Sequence, residues 1–294
     1  GFESTAHYAL NLELFLENAH HSFMEVNPVL IKEYKKSTTL RRTKTDSVDC
    51  ESIARWLITV EYKPHSKGFY HAYSLKSLTR LRDRLIRQRS FYLVKITNVL
   101  DHTFPEFKPF FNERLSKTAL YLLENYGSAE KMARMNSASY DKLRCISRGK
   151  FSIQQFLRLK ELAANTVGVN NSIFDLELNT LLTLYKSLSD EINTLETEII
   201  KLIEEVHPHY MSIPGIGPIS SAVIYAEYGD ISNFSNPGQM LAFAGIEPGI
   251  NDSGTESHGG RMVKHGSSQL RYVLLNACLP LIRFDLTFTP VTNT

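Results

Sequence analysis

Apolar residues recur every three or four positions in two long stretches of the chain. One stretch runs from Tyr73 to Val99 and the other from Leu181 to Val206. This interval places the apolar side chains along one face of a helix, so it predicts two long amphipathic helices. The second stretch keeps a heptad spacing over about 25 residues, and we expect it to pair as a coiled coil with the first stretch or with another subunit.

The remaining patterns are shorter. Leu10 to Phe15 has the helical interval, and Phe23 to Pro28 is typical of a short strand that ends in a turn. The segment from Ser212 to Arg271 instead contains 10 of the 15 glycines and 4 of the 11 prolines. This density favours tight turns and a close approach of the backbone to a neighbouring group.

The first part of this glycine-rich segment, Ile213 to Ala222, has the pattern of a helix-hairpin-helix turn. Gly215 and Gly217 alternate with apolar residues and lead into an apolar helix. Backbone N–H groups at such a helix start attract an anion, most often a nucleic-acid phosphate. The alternative interpretation is an ordinary glycine-rich connection between helices.

The second part contains Ser253, which is followed by glycine in a polar stretch that we expect to be a flexible loop. Lys264 and Arg271 follow it, near the expected start of a helix. A serine hydroxyl becomes a nucleophile when its proton is removed and nearby cations stabilise the attacked phosphate. The alternative is a turn without catalytic function.

Asp46 and Asp49 form a candidate acidic site. They lie three residues apart, so on a helix they share one face and could together hold a hard cation such as Mg²⁺. The alternative is structural, because aspartates are common where a helix begins.

The chain as a whole is nearly neutral. Its formal net charge is +2, so a nucleic-acid surface has to come from local clusters. The first long predicted helix carries one such basic cluster, and its candidate contacts are Arg80, Arg84 and Arg87. Lys32 to Lys44 is a second basic stretch. The alternative for both is a solvated helix face.

Composition excludes several classes of protein. Hydrophobic residues make up 43% and charged residues 22%, which is ordinary for a globular protein. The three cysteines are far apart and form no CxxC pair, so neither a zinc site nor a disulfide framework is indicated. We expect reduced thiols and a cytoplasmic protein. No apolar run reaches the ~18 residues of a membrane-spanning helix.

Two motifs together resemble a known family. The run PGIGPISSAVIYAEYGDISNFSNPGQMLAFAGIEP, followed by DSG and KHGSSQLR, is similar to the transposase domain of the IS110 family of insertion sequences. The resemblance extends from Ser212 to Cys278. Members of this family are DEDD-type serine recombinases guided by a structured bridge RNA.

The resemblance implies roles for particular residues. Ser253 would be the nucleophile that forms a phosphoserine ester with DNA. Gly1 to Tyr8 resembles the family's G-x-E-x-T-G-x-Y stretch, with Ala6 in place of the glycine, and the K-T-D-x-x-D pattern recurs at Lys44 to Asp49. Glu3, Asp46 and Asp49 would then hold Mg²⁺. The resemblance also implies DNA and a guide RNA as partners, a dimer of dimers, and association with a prokaryotic nucleoid.

The family pattern also includes features that this chain lacks. An acidic residue in a short G-I-D pattern precedes the position of Gly1, and members continue beyond the position of Thr294. We therefore expect a sequence truncated at both ends, with three of the four acids of the metal site.

The expected fold class is α/β plus α. We expect a partial RNase-H-like (RuvC-type) domain over residues 1–68, a helical and coiled-coil region over 69–208, and a mainly helical serine transposase domain over 209–294. Two other functions stay open: a metal-dependent nuclease or junction resolvase that uses only the carboxylates, and a non-catalytic nucleic-acid-binding remnant. A serine hydrolase built on Asp252, Ser253 and His258 is disfavoured, because residues so close in sequence rarely reach the geometry of a catalytic triad and no G-x-S-x-G motif is present.

Overall fold

In the computed structural model of the protein, the chain divides into two compact units, Gly1–Tyr70 and His71–Thr294. The structure describes residues 1–3, 8–26, 28–38, 45–62, 69–112, 115–229, 231, 234–253 and 256–284, and over most of 248–261 it describes the backbone alone. The chain is mostly helical in these ranges, in agreement with the expected predominance of helix.

The first unit combines two short strands with helices. Its elements are β1 (Phe2–Glu3), α1 (Tyr8–Asn18), β2 (Glu25–Val26), α2 (Pro28–Thr38) and α3 (Asp46–Thr59). The strands pair in parallel, with Phe2 opposite Glu25 and Glu3 opposite Val26. Parallel pairing requires a crossover, which α1 provides. In the described part of this unit the sheet has these two strands, so an RNase-H-like sheet is not confirmed.

Two helices of 35 residues each form the arm of the second unit: α4 (Phe69–Thr103) and α10 (Ser172–Val206). They run antiparallel. Leu75, near the start of α4, shares an apolar cluster with Ile199 and Ile203 at the end of α10, and Leu100 shares another with Leu178 near the start of α10. The two predicted amphipathic helices are therefore present.

The predicted heptad seam of α10 is only partly buried. Ile192 and Ile199 are buried, whereas Leu184 and Val206 are each 40% exposed. A regular coiled coil is not confirmed. The reason is that α10 packs on several elements along its length, so no one helix covers the seam.

A helical insert fills the chain between the two arm helices. It consists of α5 (Phe107–Phe110), α6 (Lys117–Tyr126), α7 (Ala129–Ala133), α8 (Ser137–Ile146) and α9 (Ile153–Ala164). Side chains cap the starts of α6 to α9, as Ser152 does for α9 by accepting from the N–H of Gln155. Phe107, Leu122, Met132, Leu143 and Leu159 are fully buried here and form the largest apolar cluster of the described residues.

The C-terminal part packs against the arm. A short 3-10 helix (His209–Ser212) leads into α11 (Pro218–Tyr228), α12 (Pro237–Ala244), β3 (Pro248–Ser253), β4 (Glu256–Met262) and α13 (Ser268–Phe284). Strands β3 and β4 form an antiparallel hairpin with an irregularity between Pro248 and Ile250. The polar stretch around Ser253, expected to be a flexible loop, is thus paired backbone. Two residues separate Ser253 from Glu256, a length typical of hairpin connections.

Candidate functional site

The turn before α11 presents a helix start to solvent. Gly217 caps the helix and is exposed, and Pro218 occupies the first helical position, where its missing N–H is no loss. A Cβ added at Gly217 would meet nothing within 4 Å. The open space and the unbonded N–H groups of a first helical turn allow an anion to approach.

Gly215 serves a different purpose in the same turn. Its φ of +94° favours glycine, and a Cβ there would lie 2.9 Å from the carbonyl oxygen of Ala277 and 3.0 Å from Cβ of Pro280. The turn therefore packs closely on α13 at Gly215 and is open at Gly217. Both glycines are exposed, but only at Gly217 is the space beside the Cα open.

Ser253 is the last residue of β3 and lies opposite Glu256 at the tip of the hairpin. At the other end of the hairpin, the Val263 N–H donates to the carbonyl oxygen of Glu247 at 2.9 Å. Ser253 therefore lies at the end of the hairpin opposite to this hydrogen-bonded base.

The base of the hairpin packs closely against the end of α12. A Cβ at Gly266 would lie 2.1 Å from the Phe243 carbonyl oxygen and 2.3 Å from the Gly245 nitrogen, so the two segments touch backbone to backbone. Arg271 of α13 donates from Nη1 to the carbonyl oxygens of Ala244 (3.3 Å) and Gly245 (3.4 Å). A cation suits the carbonyl-rich end of a helix.

Lys264 and Arg271 follow Ser253 in the sequence, and both are predicted to bind nucleic acid. Their surroundings differ. Arg271 is half-buried and holds the end of α12, whereas Lys264 is exposed beside the base of the hairpin. Lys264 is therefore the better placed of the two for a phosphate.

The basic residues of α4 also divide into two groups. Arg80 donates from Nε to Oε1 of Glu227 (2.8 Å) and from Nη2 to Oε2 (3.0 Å), and Arg82 donates from Nε to Oε1 of Glu196 (2.7 Å). These two arginines connect α4 to α11 and α10.

Two further arginines of this helix, Arg84 and Arg87, face solvent. Arg87 makes an exposed ion pair with Asp83 of its own helix at 2.9 Å. Arg84 is exposed and has no ion pair with any residue that the structure describes. All three arginines predicted to contact nucleic acid are exposed, but Arg80 is paired with Glu227 of another helix, whereas Arg84 and Arg87 have no partner on another described helix.

The candidate metal ligands all lie in the first unit. Glu3 is half-buried on β1, and Asp46 and Asp49 lie in the first turn of α3. Thr45 caps this helix by accepting from the Val48 N–H at 3.4 Å, and Lys35 of α2 forms an ion pair with Asp49. Both aspartates thus also fit the structural interpretation, since carboxylates stabilise the positive end of a helix.

Comparison with known proteins adds two family matches. The sequence model of the transposase IS116/IS110/IS902 family matches residues 208–290, and that of the IS110-type DEDD transposases matches residues 1–105. The two matches include β1, β2 and α1 to α4, and every C-terminal element from the 3-10 helix to α13.

Three curated relatives are similar to the chain. The transposase for insertion sequence element IS1111A of Coxiella burnetii is 25% identical over 260 residues, covering 88% of this chain and 59% of the relative. A probable family 20 transposase of Pseudomonas aeruginosa is 29% identical over 109 residues, covering 34% and 32%. The insertion element IS110 uncharacterized 43.6 kDa protein of Streptomyces coelicolor is 26% identical over 200 residues, covering 65% and 48%. The chain belongs to the IS110 family of transposases.

The chain spans between about a third and three fifths of the lengths of these curated relatives. None of the helices described here combines the length and the apolar character that crossing a membrane requires.

The family's DEDD name raises the question of whether the acids can hold a divalent metal. Carboxylate oxygens are the ligands that Mg²⁺ prefers. Within the described ranges, however, no group of three or more histidines, cysteines or acids is close enough together to hold a metal ion. The donor chemistry of Glu3, Asp46 and Asp49 suits Mg²⁺, but the structure does not bring the three carboxylates together as a metal site.

Sequence reasoning missed two residues at the C-terminal site. Glu227 is 3% exposed and binds Arg80, and Ser267 lies between the hairpin and α13. The signal for Glu227 was present, since it is the one charged residue of the apolar run ISSAVIYAEY. Such a residue is rarely buried unless it is paired. For Ser267, one of two adjacent serines, the sequence carried no comparable signal.

Proposed function

We propose that the protein is a DNA transposase in which Ser253 attacks a phosphodiester of DNA. The observation that carries this proposal is the position of Ser253 at the tip of a hairpin whose base is closed on α12 and α13. This serine lies in the segment that matches the IS116/IS110/IS902 family. A nucleophile has to be held in one place, and a hairpin whose base packs on α12 and α13 supports that requirement.

The proposed step is a transesterification. The serine hydroxyl loses its proton, its oxygen forms a bond to phosphorus, and one bridging P–O bond breaks as the leaving sugar oxygen takes up a proton. The product is a phosphoserine ester that conserves the phosphodiester for rejoining to another strand. Cations near the phosphate would stabilise the added charge, and Lys264 is the exposed candidate beside the hairpin.

Binding to DNA is proposed to involve the open helix start at Gly217 and the exposed arginines Arg84 and Arg87. These groups are backbone N–H donors and guanidinium groups, both of which suit phosphate. A structured guide RNA and an assembly as a dimer of dimers are part of the proposal on the basis of the family resemblance alone.

A divalent-metal requirement is also proposed, with Glu3, Asp46 and Asp49 as the residues that would hold Mg²⁺. Support comes from the residue types and from the DEDD family match to residues 1–105.

The test is a search for the covalent intermediate. The full-length protein is incubated with its guide RNA, Mg²⁺ and DNA carrying an insertion-sequence end, then denatured and separated by electrophoresis. We expect a protein–DNA adduct that survives denaturation and is absent in Ser253→Ala. The DNA dissociation constant of this variant should stay within about twofold of the wild type, because only one hydroxyl is removed.

Ser257→Ala is the matched control, since Ser257 pairs with Asp252 on the facing strand of the same hairpin. It should retain the adduct. If Ser253→Ala still cuts DNA, a nuclease that uses only the carboxylates is the better description. If the wild-type protein binds DNA but never cuts it, the protein is a nucleic-acid-binding module.

A further inference from the structure

Glu227 is a buried charge in an unfavourable place. Its side chain is 1% exposed, and it is the second-last residue of α11, where the helix dipole is negative. Removing a carboxylate from water at such a position is costly, so its presence requires compensating partners.

The arm helix α4 supplies two of these partners. Arg80 donates two parallel hydrogen bonds to the carboxylate, and Lys76, one turn earlier on the same face of α4, has its Nζ 3.8 Å from Oε2. Burial raises the pKa of the Glu227 carboxyl, but the hydrogen bonds from Arg80 and the charges of Lys76 and Arg80 outweigh it and lower the pKa below its ordinary value. Glu227 is therefore held as an anion against α4.

Ser267 supplies the third partner, from the other side. Its hydroxyl lies beside the Glu227 carboxylate, where it helps to lower the pKa of that group, and it accepts from the Leu270 N–H at 3.2 Å, which caps α13. A hydroxyl has one proton to donate and two lone pairs to accept with, so it can serve both groups at once. The backbone N–H of Ser267 donates to the Phe243 carbonyl oxygen at 3.0 Å.

Ser267 lies directly after the base of the hairpin. Gly266, the residue before Ser267, touches the backbone of α12. Val263, four residues before Ser267, closes the base of the hairpin by donating from its N–H to the carbonyl oxygen of Glu247. A chain of contacts thus runs from α4 through Glu227 and Ser267 to the base that carries Ser253.

We propose that Glu227 is a positioning residue that fixes the Ser253 hairpin relative to the arm helix α4. A bidentate ion pair accepts a narrow range of orientations, and the Ser267 hydroxyl beside the carboxylate extends this restriction to the hairpin base. Buried ion pairs often add little stability compared with apolar packing, but they can select one arrangement among several. The catalytic part of this inference rests on the proposed function of Ser253.

The experiment compares Glu227→Gln, Ser267→Ala and Ser267→Thr with the wild-type protein. Amide hydrogen exchange is measured for residues 248–263 and, as an internal reference, for the insert helices α6 and α9. We expect the Val263 amide to exchange about tenfold faster in Glu227→Gln and in Ser267→Ala, corresponding to about 1.4 kcal/mol, while the reference helices are unchanged.

Ser267→Thr tests whether the hydroxyl itself matters, because threonine keeps the donor and the cap. It should restore slow exchange. Ser268→Ala is the matched control, since the Ser268 hydroxyl is exposed and bonds to Gln269. It should behave like the wild type.

Adduct formation is measured in parallel at saturating DNA. Glu227→Gln and Ser267→Ala should lower its rate constant about tenfold while the DNA dissociation constant stays within about twofold. Unchanged exchange at Val263 in both variants would overturn the positioning role, as would an equal loss of DNA affinity or a failure of Ser267→Thr to restore the wild-type behaviour. If the wild-type protein forms no adduct, the proposed function fails, but the exchange experiment still decides the role of Glu227.

Discussion

Glu13 is the most unusual titratable residue of the first unit. It is 1% exposed in α1, and its Oε2 has no hydrogen-bond partner among the residues that the structure describes. Burial, together with the negative charges of Glu25 and Glu17, raises the pKa of Glu13 from 4.5 to about 7. The folded protein therefore keeps this proton at a pH where the unfolded chain has released it.

The direction of the resulting pH dependence follows from proton binding. Between pH 4.5 and about 7 the folded state binds more protons at Glu13 than the unfolded state does, so the free energy of unfolding falls as the pH rises. Glu13→Gln removes this titration. At pH 8 we expect the first unit of the variant to be more stable than the wild type by about 1–3 kcal/mol.

Chemical denaturation at pH 4.5 and at pH 8 measures the difference. Glu51→Gln, an exposed residue of α3 paired with Arg55, is the control and should leave the pH profile unchanged. If Glu13→Gln destabilises the protein at pH 8, then Glu13 is ionised and paired there, contrary to our interpretation.

Gly215 and Gly217 show how two identical residues in one motif differ. The sequence pattern assigned them the same role, as backbone donors to a phosphate. In the structure a side chain would fit at Gly217, whereas glycine is required at position 215 because its positive φ and its contact with α13 exclude a side chain. A motif identifies the turn, and the packing around it determines what each glycine does.

At the scale of the element, the basic helix α4 has arginines that pair with acids on other helices and arginines that face solvent. Arg80→Gln would leave the buried Glu227 without its bidentate partner, and we expect a loss of roughly 1–3 kcal/mol of stability. Arg84→Gln should leave stability nearly unchanged and weaken DNA binding. Removal of one cation that binds a phosphate should reduce the slope of log affinity against log salt concentration by about one.

Binding measured over a range of salt concentrations separates these two effects. Arg134→Gln is the control, because Arg134 is an exposed arginine of the insert that pairs with Glu130 of its own helix. It should not alter the slope. If Arg84→Gln and Arg134→Gln give the same slope as the wild type, the exposed face of α4 is a solvated surface.

At the scale of the whole molecule, the candidate groups for catalysis lie in different units. The carboxylates Glu3, Asp46 and Asp49 are in the first unit, and Ser253 is in the second. If Mg²⁺ takes part in the reaction, adduct formation should require it. Asp46→Asn should then lower the rate at least about a hundredfold, as is common when a group that stabilises charge is removed.

Glu51→Gln is again the control, since it changes an acid on the same helix outside the proposed set. Adduct yield is measured at increasing Mg²⁺ and in excess chelator. Full activity in chelator, or in Asp46→Asn, would show that the aspartates act only as the first-turn carboxylates of α3.

Local signals in the sequence determined the elements that this chain forms. Spacing of apolar residues predicted α4 and α10, and the proline and glycines of PGIGP predicted a turn into α11, because periodicity and turn chemistry are properties of neighbouring residues. The motifs around Ser253 and Glu3 were enough to indicate the IS110 family, which the comparisons confirmed.

Tertiary structure alone decided which partner each charged side chain has. Arg80 and Glu227 are 147 positions apart, so no local pattern could pair them. The same limit applied to Arg271 at the end of α12, to the pairing of β3 with β4, and to the burial of Glu13. Each depends on desolvation and on contacts between distant segments, which are set only when the chain has folded.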